Sequence, residues 1–173
     1  IAKKNKKIVL LSGDIGNRLF DNFRKNFPTR FHNCGIAEAS MTGVASGLAH
    51  LGLRPITYTI ATFNTIRCLE QIKLDVCYPN LPVIIVGTGA GLSYSSLGST
   101  HHSIEDIALL RSIPNLSILC PSDPKEVKKL LNDAIKLKGP VYLRLGKKNE
   151  PVVESRRKIG KSNIIVNGKN NLI

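Results

Sequence analysis

Leu81-Pro-Val-Ile-Ile-Val86 contains no polar side chain. A strand of that composition is apolar on both faces, so it belongs in the middle of a layered structure rather than at a surface. Further strand candidates recur along the chain at Ile8–Ser12, Arg30–Cys34, Pro55–Ile60, Leu116–Cys120 and Val141–Leu145. The segments between them read as helices. Asn17–Asn26 stops before Pro28. Gly35 to Leu51 ends at Gly52, a usual C-terminal signal. Thr62–Tyr78 has Thr62 as a candidate N-cap and ends before Pro79. Ser103–Ser112 has Ser103 as N-cap with Glu105 and Asp106 in its first turn. Pro124–Leu137 is capped by Ser122 or Asp123 and stopped at Gly139-Pro140. Strands alternating with helices predict an α/β fold: a doubly wound, mainly parallel sheet with helices on both faces.

Ligands bind such sheets at the carboxyl ends of the strands. Those ends carry Asp14, Cys34–Glu38, Ala61–Phe63 and the loop from Gly87 to His102, so four segments are expected to meet along one edge. A length of 173 residues fits one domain, placed at residues 1–150, followed by a polar, basic linker over 151–173. Ile159–Val166 is a candidate further strand, and Ile1–Lys7 reads as the tail of a helix whose beginning is absent.

Composition narrows the function classes. The formal charge is +13, yet four lysines lie in residues 1–7, and residues 146–173 hold seven basic residues against Glu150 and Glu154. Neither end contains an aromatic residue. A nucleic-acid surface needs its cations on a folded face with stacking side chains, so nucleic acid is not an expected partner. No apolar run reaches the roughly 18 residues of a membrane span. With no secretory segment either, a cytoplasmic location is expected. Cys34, Cys68, Cys77 and Cys120 show no CxxC spacing and read as buried free thiols.

Chemistry concentrates in three places. Glu38 stands near the start of its helix among Gly35, Ala37, Ala39 and Ser40, beside an apolar surface of Ile36, Met41, Val44, Ala45, Leu48 and Leu51. A carboxyl in such small, apolar surroundings is suited to sharing a proton with a ring nitrogen. Gly43 and Gly47 sit inside the same helix, each costing about 1 kcal/mol relative to alanine, which predicts close approach by another helix or another chain. Phe63 follows a strand and is a candidate aromatic platform for a heterocycle. Gly87-Thr-Gly-Ala-Gly91 lacks the last glycine of a dinucleotide fingerprint and runs into a serine-rich loop, so a dinucleotide is disfavoured. His101-His102 with Glu105 is too small a donor set for a metal site, whereas one histidine at a loop end suits acid–base or hydrogen-bonding work.

Gly13-Asp14-Ile15-Gly16, Phe31-His-Asn-Cys-Gly-Ile-Ala-Glu-Ala-Ser-Met41, Ala61-Thr-Phe63, Leu81-Pro-Val-Ile-Ile-Val86, Leu97-Gly-Ser-Thr-His-His102, Leu110-Arg-Ser-Ile-Pro114 and Cys120-Pro-Ser-Asp-Pro124 occur in the order that resembles the pyrimidine-binding domain of transketolase-type enzymes. The resemblance covers roughly residues 8–150. It implies thiamine diphosphate as cofactor, with Glu38 on the pyrimidine ring nitrogen as the activating acid, Phe63 stacked on the pyrimidine and Asp14 near the thiazolium. It implies His101 near the reacting carbon of the substrate, with Arg144 and Lys147 placed for a substrate phosphate. The implied reaction moves a two-carbon ketol unit between sugar phosphates.

The family's diphosphate-binding motif and its C-terminal domain are absent from this sequence. The resemblance therefore implies half a site, inactive alone. It would be completed in a homodimer or with a diphosphate-binding subunit that holds Mg²⁺ or Ca²⁺. Leu97 stands where transketolases place an aspartate, and Gly89 lies near the position of a family histidine. Both departures remove partners for sugar hydroxyls and point to an unusual or modified sugar. The alternatives are a 1-deoxyxylulose-phosphate synthase, a 2-oxo acid dehydrogenase β-subunit, or a non-catalytic dimerisation subunit.

Overall fold

All six expected strands join one sheet in the computed structural model, which describes residues 1–16, 18–148, 150–152 and 159–160. They are β1 (Ile8–Ser12), β2 (Phe31–Asn33), β3 (Arg54–Ile60), β4 (Ile84–Thr88), β5 (Ser117–Leu119) and β6 (Val141–Arg144), in the spatial order β2-β1-β3-β4-β6-β5. Every pairing is parallel. Ile159 and Gly160 lie in a turn, and the rest of the candidate strand at 159–166 and most of the expected linker lie outside the described residues.

Side-chain alternation splits the core into two layers. Val9, Leu11, Ile85 and Tyr142 face α2 (Glu38–His50) and a helical run from Ala61 to Cys77, packing with Met41, Ala45, Cys68, Ile72 and Val76. Ile84, Val86, Val141 and Leu143 face the other way, onto Leu130 and Ala134 of α6 (Pro124–Ala134). Each fully buried aliphatic side chain of this kind contributes about 1.5–3 kcal/mol. On that second face α1 (Asp21–Asn26) carries Phe23 to one side of an open apolar groove, and Val127 and Leu131 of α6 line the other.

Several boundaries differ from expectation for local reasons. β4 begins at Ile84, not Leu81, and runs on to Thr88. Pro82 has no N–H for a ladder, and its carbonyl accepts instead from Arg54 Nη1 at 3.0 Å. The helical run starts at Ala61 rather than Thr62, and no side chain caps it. It is also irregular: α3 (Ala61–Thr65), a 3₁₀ turn (Ile66–Cys68), α4 (Leu69–Gln71) and a π-helical turn (Ile72–Cys77). Thr65 Oγ1 donates back to the Ala61 carbonyl at 2.7 Å, a side-chain bond of the kind that bends helices. Asn64 Nδ2 pins α3 to the sheet by donating to the Val86 carbonyl at 2.8 Å.

Ser103 is not a helix cap. Its backbone pairs in both directions with Gly91, at 2.9 and 3.0 Å, and α5 spans only Asp106–Leu110. Asp123 does cap α6: its Oδ1 accepts from the Glu126 N–H at 2.7 Å, while Glu126 Oε2 accepts from the Ser122 N–H, a reciprocal arrangement.

The apolar surface of α2 divides in two. Met41, Ala45 and Ala49 are buried, but Ile36 (79% exposed), Val44 and Leu51 (80% exposed) point outward. A Cβ added at Gly43 or Gly47 would meet no atom within 4 Å, so no contact among the described residues requires either glycine. Cys68 and Cys77 are buried thiols whose pKa values desolvation pushes up to about 11 and about 12. Cys120 departs from the expected burial; it follows the short edge strand β5 and is exposed. Among the described residues no helix is long and apolar enough to cross a membrane.

Candidate active site

Glu38 is the first residue of α2 and is only 2% exposed. Gly13, just past the end of β1, makes room for it: a Cβ there would lie 3.3 Å from Glu38 Cγ and 3.1 Å from Thr59 Cβ. A buried carboxylate needs a donor, and Arg67 Nη1 supplies one to Glu38 Oε2 at 2.8 Å. Arg67 reaches in from the 3₁₀ turn after α3 and stays 47% exposed at its side chain.

The same guanidinium lies over the ring of Phe63, with Cζ 4.4 Å from the ring centre. Phe63 and Arg67 are four residues apart on one helical run, so they share a face. The Phe63 ring meets His101 edge-on at 5.2 Å between centroids. His101 Nδ1 is 2.9 Å from Thr100 Oγ1, and its ring is 6.1 Å from that of Tyr94. Lys147 Nζ lies over Tyr94, 4.6 Å from the ring centre. Glu38, Arg67, Phe63, His101, Tyr94 and Lys147 thus form one unbroken row of contacts along the carboxyl edge of the sheet.

Glycines of the loop after β4 let the far end of this row close up. Gly89 has φ +69°, and a Cβ there would lie 1.9 Å from Tyr94 Cε2, so the tyrosine ring fills the space of any side chain at position 89. The glycines of 87–91 do not cradle a dinucleotide. Gly87 lies inside β4, where a Cβ would meet Tyr142 Oη at 2.8 Å and Ala61 Cα at 2.9 Å. The following loop folds back onto Ser103 instead of opening a helix.

Asp14 and Arg144 sit apart from this row. Asp14 Oδ1 accepts from Asn33 Nδ2 at 2.9 Å and so ties the ends of β1 and β2, lining a cleft with Arg18 and Arg24. Arg144 donates through Nε to Asp106 Oδ2 at 2.8 Å and through Nη2 to the Ser103 carbonyl at 3.3 Å. Asp106 is fully buried and also accepts from Tyr142 Oη at 2.7 Å. Burial, reinforced by the Asp106 charge, pushes the Tyr142 hydroxyl pKa upward, which keeps it a donor. Asp106 Oδ1 and Ser103 Oγ are buried with no hydrogen-bond partner among the described residues. Among the described residues no group of three or more His, Cys, Asp or Glu side chains is placed for a metal ion. His102 Nε2 lies 3.3 Å from the Ser95 carbonyl, and Glu105 accepts from the Ile104 N–H.

Sequence reasoning passed over Arg67, Tyr94 and Asp106. Phe63-x-x-x-Arg67 carried a readable signal, an aromatic and a cation on one helical face. Tyr94 lies in a loop without period, and the role of Asp106 depends on β6, 36 residues away in sequence.

The model of the transketolase pyrimidine binding domain family matches residues 1–152. An apulose-4-phosphate transketolase subunit of Phocaeicola vulgatus is 36% identical over 173 residues, covering 97% of this chain and 55% of that protein. A 1-deoxy-D-xylulose-5-phosphate synthase of Desulfotalea psychrophila is 40% identical over 145 residues, covering 83% of this chain and 22% of the enzyme. Among solved structures, a split-gene transketolase described as an inactive β4 tetramer superposes with a TM-score of 0.85 at 38% identity, over 97% of this chain and 55% of that one. The chain spans about half the length of these split-subunit relatives. Its fold, its motifs and these similarities agree: the chain belongs to the family of transketolase pyrimidine-binding domains.

Proposed function

We propose that this chain supplies the pyrimidine-binding half of a split transketolase-type site that uses thiamine diphosphate. The observation that carries the reading is Glu38: a carboxylate 2% exposed, at the start of α2, whose accessible neighbour is the face of Phe63 reached through Arg67. The residues fit the pyrimidine end of such a cofactor. Glu38 already takes an N–H donor, and Phe63 already carries a flat group on its ring. When bound, thiamine diphosphate supplies the acidic carbon through which a two-carbon ketol unit passes between sugar phosphates.

This chain's own residues have separable tasks. Glu38 holds a proton at its carboxyl against a ring nitrogen, in a site dry enough to strengthen that bond. Phe63 orients the ring by stacking. His101, fixed by Thr100 and wedged between Phe63 and Tyr94, is placed to touch substrate. Lys147 offers a cation on the far side of Tyr94 for a phosphate. Arg144 has its Nε committed to Asp106 and its Nη2 donating to the Ser103 carbonyl, so a role toward the phosphate falls first to Nη1. Asp14 is proposed to border the thiazolium from the β1 end, releasing Asn33 as it does so.

The diphosphate and its Mg²⁺ or Ca²⁺ are assigned to a partner domain, either a second subunit or another copy of a longer chain. The outward face of α2 favours that partner. Val44 is exposed there, Ile36 and Leu51 are exposed just before and just after the helix, and Leu74 and Tyr78 are exposed on the neighbouring turn, which Ser46 Oγ joins to α2 through the Asp75 carbonyl at 2.7 Å. Gly43 and Gly47 leave room for a close approach. The synthase alternative is less well supported, because relatives that match nearly the whole chain are subunits of split transketolases.

The test is turnover of a sugar-phosphate panel by the chain mixed with a diphosphate-binding subunit, Mg²⁺ and thiamine diphosphate. Glu38→Gln is expected to lower turnover by about 10²–10⁴, the range for a lost acid–base group, with the thermal midpoint nearly unchanged. Full turnover in that variant overturns the reading.

A further inference from the structure

Arg67 contacts both residues assigned to the pyrimidine. Its Nη1 is 2.8 Å from Glu38 Oε2, and its Cζ is 4.4 Å from the centre of the Phe63 ring. A guanidinium is a flat N–C–N group that donates hydrogen bonds in its own plane and stacks on aromatic faces. A 4-aminopyrimidine is likewise flat, with nitrogens directed outward in its own plane and a face that stacks. We infer that Arg67 is a built-in stand-in for the aminopyrimidine: it occupies Glu38 and Phe63 in the cofactor-free chain, and binding exchanges one flat nitrogen group for the other. The inference rests on the roles proposed above for Glu38 and Phe63.

The energetics favour an exchange over a permanent lock. A buried carboxylate stripped of its donor is strongly disfavoured, so Glu38 needs a substitute at the moment Arg67 leaves. A pyrimidine ring nitrogen has no N–H of its own, so the exchange takes up one proton from solvent, which Glu38 and the ring nitrogen then share in place of the Arg67 N–H. Arg67 itself is half-exposed, and a cation with that much solvent loses little on release. It also has somewhere to go. An open groove lined by Ala39, Leu69, Glu70 and Leu74 adjoins it, and Glu70 brings a second carboxylate three residues along the same helical run. Because only chains with Arg67 displaced can accept the ring, the apparent affinity is lowered by the fraction displaced.

The experiment titrates thiamine into the chain and into its Arg67→Met, Arg67→Lys and Glu38→Gln variants by calorimetry, with a melt of each to establish folding. Arg67→Met is expected to bind thiamine about tenfold more tightly than the parent, if Arg67 is displaced in about one chain in ten. Arg67→Lys, which keeps the charge but not the flat group, is expected to fall between them. In a parallel NMR titration of the unaltered chain, thiamine is expected to shift the Arg67 guanidinium signals and leave those of buried Arg54 in place. That readout stands even where a variant fails to fold.

Equal or weaker binding by Arg67→Met, or unmoved Arg67 signals while thiamine binds, overturns the inference and leaves the cofactor reading standing. Binding by Glu38→Gln that matches the parent overturns the role of Glu38, and this inference with it. No binding by any chain at millimolar thiamine overturns both.

Discussion

At position 89 the backbone and the neighbouring ring both forbid a side chain. The φ of +69° costs an ordinary residue about 1–2 kcal/mol, and a Cβ would sit 1.9 Å from Tyr94 Cε2. Gly89→Ala therefore forces Tyr94 out of its place between His101 and Lys147. The two costs separate in a double-mutant cycle. In the parent, Gly89→Ala is expected to destabilise by more than about 2 kcal/mol, the backbone term plus the displaced ring. In a Tyr94→Ala background the same change is expected to cost only the backbone term, about 1–2 kcal/mol. Urea unfolding of the four proteins measures both, and equal costs in the two backgrounds exclude the steric coupling. Glu38, Phe63 and His101 could be picked out from sequence because Glu38 opens a helix, Phe63 closely follows a strand and His101 ends a glycine- and serine-rich loop. Arg67 and Tyr94 could not, because their importance lies in where their side chains turn.

Among the elements, the lead-in to β4 and the end of α6 are joined by a buried cation. Arg54 opens β3 and is 5% exposed. Its guanidinium donates to the Pro82 carbonyl at 3.0 Å, to the Ala134 carbonyl at 2.7 Å and to the Leu137 carbonyl. Two of those acceptors lie at or just past the end of α6, where carbonyls run out of helical donors, and a cation there also complements the helix dipole. Arg54→Met keeps much of the stem but takes this donor from all three carbonyls. The Ala134 carbonyl keeps the Leu137 N–H at 3.1 Å, whereas those of Pro82 and Leu137 lose the Arg54 donor at about 1–3 kcal/mol each, so a loss of at least about 2 kcal/mol is expected in chemical unfolding. A loss under about 1 kcal/mol would show that water reaches these carbonyls. The strands themselves were readable because a parallel sheet buried on both faces demands unbroken apolar runs. Their ends were less so: Pro82 delays β4, and nothing in the run itself marks where pairing begins. The break after Thr65 in the mixed α, 3₁₀ and π run Ala61–Cys77 was also hidden, since it coincides with the back-bonding of Thr65 and the anchoring of Asn64 to β4, neither of which the sequence shows.

For the molecule as a whole, the decisive asymmetry is that the apolar residues on and flanking α2 face two ways. One side, with Met41, Ala45 and Ala49, closes the core of this chain. The other exposes Ile36, Val44 and Leu51, and two glycines of the helix serve no contact among the described residues. Glycines inside a helix each cost about 1 kcal/mol, and the partner contact proposed above would account for a cost that has no return among the described residues. Glu38 begins this helix and Arg67 lies beside it, next to the groove under Ala39 and Leu74, so a partner seated on α2 would border the pyrimidine site. Val44→Glu combined with Leu51→Glu tests the arrangement. Both positions are surface-exposed, so the unfolding free energy is expected to move by no more than about 0.5 kcal/mol per site. Burying two carboxylates in an apolar contact is a different matter, and association with a diphosphate-binding subunit is expected to weaken by about a hundredfold or more in sedimentation or calorimetry. Unchanged association would place the contact on another face and leave the two glycines of α2 without a cause.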